Sequence, residues 1–110
     1  MMKLAMSPAA AALLRSLLSR AGVERDRILL TQFRSTDWNS LTFSGERHMI
    51  DLRITGADSR DVVDRLVTGL EDAEFAIPGQ IVADIAVAGA PVRSLDGSLS
   101  LKIEALTVAE

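Results

Sequence analysis

His48 is the only histidine in this chain of 110 residues, and carboxylates stand close to it at Glu46 and Asp51. A histidine beside a carboxylate is the smallest unit that works as a general base, the acid orienting the ring and stabilising its charged form. His48 with Asp51 or Glu46 is therefore the candidate catalytic pair. The competing reading is a partly buried histidine, bonded to backbone near the end of a hairpin. The second reading is favoured, because acid–base work also needs a pocket and a second reacting group, and no sequence motif supplies either.

Other chemistries are narrower still. With one histidine and no cysteine, neither a multi-histidine nor a thiolate metal site is possible. Asp58, Asp61 and Asp64 recur at helical spacing and could offer oxygens to a hard cation. Acids at the start of a helix are already accounted for by its dipole, however. The glycines stand singly, without the GxGxxG or Walker spacing that cradles phosphate, and there is no Gly-x-Ser-x-Gly elbow. No metal and no cofactor is expected.

The single tryptophan, Trp38, has Arg34, Arg47 and Arg53 nearby in sequence. An aromatic platform among cations suits RNA stacked on a sheet face. The formal net charge of −3 opposes that reading, since nucleic-acid affinity comes from neutralising phosphates; DNA is not expected as a partner. Ten of the twelve basic residues are arginine, all but Lys3 and Lys102, and they are scattered along the chain. That preference fits GC-rich coding better than a dedicated anion site.

These residues need elements to hold them. Ser7 is a natural N-cap and Pro8 suits the first helical position. Leu14, Leu17, Leu18 and Ala21 recur at helical spacing, and Gly22 suits the residue after a helix end, so a helix is predicted from Pro8 to Ala21. Arg27 to Arg34 reads as a strand, and Ser35-Thr36-Asp37 as a turn or bend. From Trp38 to Ile54 residues alternate, with Gly45-Glu46 as a two-residue loop. That register sets Phe43 opposite His48 and Leu41 opposite Ile50 on the buried face, and Trp38 opposite Arg53 on the outer face. The segment Arg27 to Ile54 thus holds two or three strands.

A second helix is predicted from Asp58 or Ser59, burying Val62, Val63, Leu66 and Leu70. Pro78-Gly79 makes a turn. Ile81, Ala83, Ile85 and Val87 are expected inward against Val82, Asp84 and Ala86, followed by a loop to Gly97. The last strand alternates Leu99, Leu101, Ile103 and Ala105 with Ser100, Lys102 and Glu104. Continuous pairing through Asp96-Gly97 would put Ile85 on the wrong face, so a bulge near Pro91 or a wider loop is required.

The order α-β-β-(β)-α-β-β predicts one α+β domain over residues 1–110, with two helices on one face of a four- or five-stranded antiparallel sheet. Residues 1–6 are expected to form a disordered tail. Moving the first strand of a ferredoxin-like β-α-β-β-α-β order to its end gives this order, which therefore resembles a circularly permuted ferredoxin-like sandwich. The three-strand reading instead resembles the order of small secretion-chaperone-like domains. Both resemblances rest on element order alone, and fold does not fix function.

With both helices on one face, the other face is uncovered. It would carry Trp38, Met49, Val82 and Ala86 among Asp51, Arg53, Asp84 and Lys102, a composition typical of protein interfaces. The expectation is a non-enzymatic module that binds a second copy, another protein or a small ligand through Trp38, Met49, Asp51, Arg53 and Asp84. A homodimer is its natural state. The absence of cysteine fits a reducing compartment, and no apolar run reaches the roughly 18–20 residues needed to cross a bilayer. A cytoplasmic protein with no membrane partner is expected.

Overall fold

The computed structural model describes residues 6–110. The tail expected over residues 1–6 lies, apart from Met6, outside the described residues. Helix α1 spans Pro8–Ala21, and the Ser7 Oγ accepts the Ala10 amide at 3.1 Å. Gly22 ends it in the left-handed conformation at φ 66, which a glycine reaches without steric cost. Ala10, Leu13, Leu17 and Ala21 form the buried stripe, while Leu14 and Leu18 are half-buried at its margin.

Strands β1 (Ile28–Asn39) and β2 (Ser44–Ile54) form one long hairpin. Arg27 to Ile54 therefore holds two strands, and the turn expected at Ser35-Thr36-Asp37 is continuous β1. The reversal falls at residues 40–43. There Ser40 donates its amide to the Phe43 carbonyl at 2.8 Å, and its Oγ accepts the Phe43 and Thr42 amides at 3.0 and 3.4 Å. A serine that satisfies its own turn in this way competes with any glycine nearby.

The register moves with the turn. Trp38 pairs with Gly45, Ser35 with His48, Phe33 with Ile50 and Leu29 with Arg53. The expected pairs Phe43–His48, Leu41–Ile50 and Trp38–Arg53 do not form. Leu41 is fully exposed and Phe43 is 56% exposed, because both belong to the loop rather than to the buried face. Gly45 does not have a positive φ. A Cβ on it would overlap the Thr107 carbonyl oxygen of the neighbouring strand and come within 3.0 Å of the Val108 Cα. It is a glycine of close approach, not of turning.

Helix α2 (Ser59–Val67) buries Val62, Val63 and Leu66. A left-handed Gly69 then leads into a 3-10 turn that buries Leu70. Asp58 makes no cap hydrogen bond. Its carboxylate is taken by Arg27, and the Ser59 hydroxyl reaches the Gly97 carbonyl at 2.9 Å.

Strands β3 (Gln80–Val87), β4 (Val92–Arg93) and β5 (Leu99–Ala109) complete an antiparallel sheet in the order β1-β2-β5-β3. Strand β4 pairs with the start of β5, on the side opposite β2, so β3 and β4 are one interrupted edge. The interruption covers residues 88–91, where the Ala88 amide still donates to the Lys102 carbonyl at 2.8 Å. This is the irregularity required near Pro91. A second shift, at Ala83, turns Ile81 outward and Val82 inward, reversing the facing expected for both. One extra residue in a strand has this effect because side chains alternate with a period of two.

Strands β2 and β3 both run antiparallel to β5 and are joined through α2. They make a split β-α-β unit with β5 between its arms, as a permuted ferredoxin-like sandwich requires. Both helices bury their apolar stripes on the face formed by Ile50, Leu52 and Ile54 of β2 with Leu99, Leu101 and Ile103 of β5. No described helix lies over the other face of the sheet.

Candidate functional site

His48 lies on the helix-covered face and is 0% exposed. Its Nδ1 is 2.6 Å from the Ser35 Oγ and its Nε2 is 2.8 Å from the Thr107 Oγ1. The Thr107 Oγ1 also lies 3.5 Å from the Glu46 carbonyl oxygen. Burial pushes the imidazole pKa below its usual value, with the nearby Glu46 carboxylate opposing the shift weakly. The ring is therefore neutral, fully bonded and shielded from water. Its partners are hydroxyls on flanking strands rather than the backbone.

Neither carboxylate completes a dyad. Asp51 is on the opposite face of β2, its odd numbering setting it against Gln32 and Lys102. Glu46 shares the face of His48, but its Oε1 accepts the Ser7 hydroxyl at 2.7 Å. Ser7 thereby caps α1 and ties it to β2. Among the described residues no group of acids and histidine could hold a metal ion.

The uncovered face is organised as rows running across the strands. At one end lies Trp38–Gly45–Val108–Ile81. Next come Thr36–Arg47–Leu106–Asp84, then Arg34–Met49–Glu104–Ala86, then Gln32–Asp51–Lys102. At the far end Leu29–Arg53–Ser100–Val92 closes the face. The candidate residues Trp38, Met49, Asp51, Arg53 and Asp84 thus share one surface but do not form one cluster. Trp38 and Arg53 sit at opposite ends, about 27 Å apart at ~3.4 Å per strand residue.

The Trp38 end is apolar. Trp38, Phe43, Ile81, Ala83, Leu106 and Val108 enclose a shallow groove of about 300 Å³ with no polar lining. Ile81 is 54% exposed there. Phe43 and Ile81 were expected on the buried face and Gly45 in a turn, while Leu106 and Val108 were not singled out. One legible signal was the tail of β5: after Ala105 the apolar residues Leu106 and Val108 fall on the outer parity while Ala105 and Thr107 keep the inner one. A strand end apolar on both parities is meant to be covered on both sides.

The middle rows are charged. The Arg34 guanidinium rests 3.9 Å from the Met49 sulfur, and a hollow of about 100 Å³ lies between Gln32, Arg34, Met49, Asp51 and Lys102. Asp51 and Lys102 oppose each other, yet neither makes an ion pair with another described residue. Arg53 is engaged within the chain: Nε donates to the Ser98 Oγ at 2.9 Å and Nη2 to Asp96 at 2.7 Å. The Ser98 hydroxyl and amide, with Arg53, hold the Asp96 carboxyl below the usual range.

No described helix is long and apolar enough to cross a membrane. The chain matches no protein-family model, and no curated protein matches it.

Proposed function

We propose that this protein is a non-catalytic, self-associating interaction module of the cytoplasm, working through the uncovered sheet face. The observation that carries the reading is the apolar groove at the Trp38 end, which presents no polar surface. Phe43 and Ile81 leave more than half of their surface in water there. Exposed apolar patches of this kind mark association surfaces in soluble proteins, and the aromatic at its centre is of the type that dominates interface energies.

The composition of the rest of the face supports the same reading. Charged rows beside an apolar end give a mixture of apolar and polar surface of the kind found in protein contacts. A histidine sealed between two hydroxyls is a poor base, because substrate cannot reach it. The lack of cysteine favours a reducing compartment.

The test is the solution mass by light scattering over a concentration series, for wild type and Trp38→Ala. A wild-type dimer that dissociates at higher concentration in the variant supports the reading. A wild-type monomer at every concentration overturns it.

A further inference from the structure

Resting on that reading, we infer that the partner is a second copy of this chain, docked face to face about a twofold axis parallel to the strands between β2 and β5. Two sheets pack through one face isologously only if the axis lies in the interface plane. Of the two axes that keep the strands of both sheets aligned, one along them and one across them, the charges on the face favour one.

On this face Arg34 and Arg47 belong to β1 and β2, whereas Glu104 and Asp84 belong to β5 and β3. In the Asp51–Lys102 row the signs are reversed, again one on each side of the β2–β5 line. An axis along the strands exchanges the two sides of that line and keeps each row level. The half of the face bearing Arg34 and Arg47 then lies over the half bearing Glu104 and Asp84, and Asp51 of each copy lies over Lys102 of the other. An axis across the strands keeps each strand over itself and lays the Arg34 side on the Arg34 side, a repulsive arrangement.

Asp51 and Lys102 make no ion pair with another described residue of their own chain, which leaves both for the second copy. The face measures about 20 Å by 30 Å from strand spacing and rise. That is the scale of the roughly 800 Å² per partner buried in stable complexes.

Two experiments test the arrangement. In the first, Asp51→Lys and Lys102→Asp variants are studied separately and mixed. Each alone places like charges together and should weaken the homodimer by roughly tenfold or more, while the mixture should form a heterodimer at wild-type strength. In the second, Arg34→Cys and Ala86→Cys proteins are mixed and treated with a short bismaleimide; the chain has no cysteine of its own. These positions lie in the same middle row on the outermost strands, about 10 Å apart between facing sheets in this arrangement. The mixed cross-link should form, and each variant alone should link poorly, its two thiols sitting on opposite sides of the axis. A wild-type dimer without mixed cross-linking or heterodimer preference overturns the arrangement and leaves self-association standing. A wild-type monomer overturns both.

Discussion

Trp38 stands directly opposite Gly45 across the β1–β2 ladder, so the only tryptophan of the chain has no side chain beside it on the neighbouring strand. An aromatic placed over a strand glycine shields backbone that would otherwise be wet. The same glycine allows β5 to come close, since a Cβ would overlap the Thr107 carbonyl. Gly45→Ala should therefore destabilise the fold by about 1–3 kcal/mol through displacement of β2 from β5. Urea denaturation measures this; an unchanged midpoint would mean that the ladder relaxes freely.

Trp38→Ala tests the surface rather than the core. Trp38 is half-buried and faces away from the helices, so its loss should change dimer mass far more than the unfolding midpoint, once the monomer is compared with the monomer. A large loss of monomer stability would recast Trp38 as a structural cover for β2.

His48 should make the fold sensitive to mild acid. The unfolded chain takes up a proton on this residue near pH 6.5, and the folded chain does so only at lower pH because the ring is buried. Between those points the unfolded state binds more protons, so stability is full above about pH 6.5 and declines as pH falls below it. His48→Gln keeps an amide donor and acceptor without titrating. Chemical denaturation at pH 7.5 and 5.5 should show a smaller pH dependence in the variant than in wild type; equal slopes would place the proton elsewhere.

Ser7→Ala removes the acceptor for the Ala10 amide and the donor to Glu46 together. A lost N-cap costs about 1 kcal/mol. The thermal midpoint should fall accordingly, and amide exchange should quicken in the first turn of α1. Unchanged exchange there would mean that water replaces the cap without loss.

Periodic elements and the irregularity near Pro91 were legible in the sequence, and the other irregular features were not. Helix α1 ran as its cap, proline and terminal glycine predict, and β5 followed its alternation, because local signals and burial agree in both. The errors came from single residues. Gly45 carries the same letter whether a chain must turn or another backbone must approach, and only the fold distinguishes these uses. Ser40 offered the competing turn, less conspicuously. At Ala83 one unpaired residue exchanged the faces of Ile81 and Val82, which no pattern of apolar letters within β3 announces. The candidate site was legible as a face, since parity put Trp38, Met49, Asp51 and Arg53 together. Its apolar end was hidden, because Phe43 and Ile81 depended on the two register changes. The sealing of His48 was also hidden, since Ser35 and Thr107 are far from it in sequence.

Strand β5 lies between β2 and β3, and it follows both of them in the chain. During synthesis the arms of the split β-α-β unit must therefore wait, unbridged, until residues 99–109 have been made. Until then the inner edge of β2 and the inner edge of β3 are both open, and the apolar stripes of α1 and α2 have half a floor to rest on. Non-local pairing of this kind slows folding and lengthens exposure to wrong partners. Strand β5 thus acts as the keystone of the assembly, and a nascent chain stalled before Leu99 is the form most in need of a chaperone.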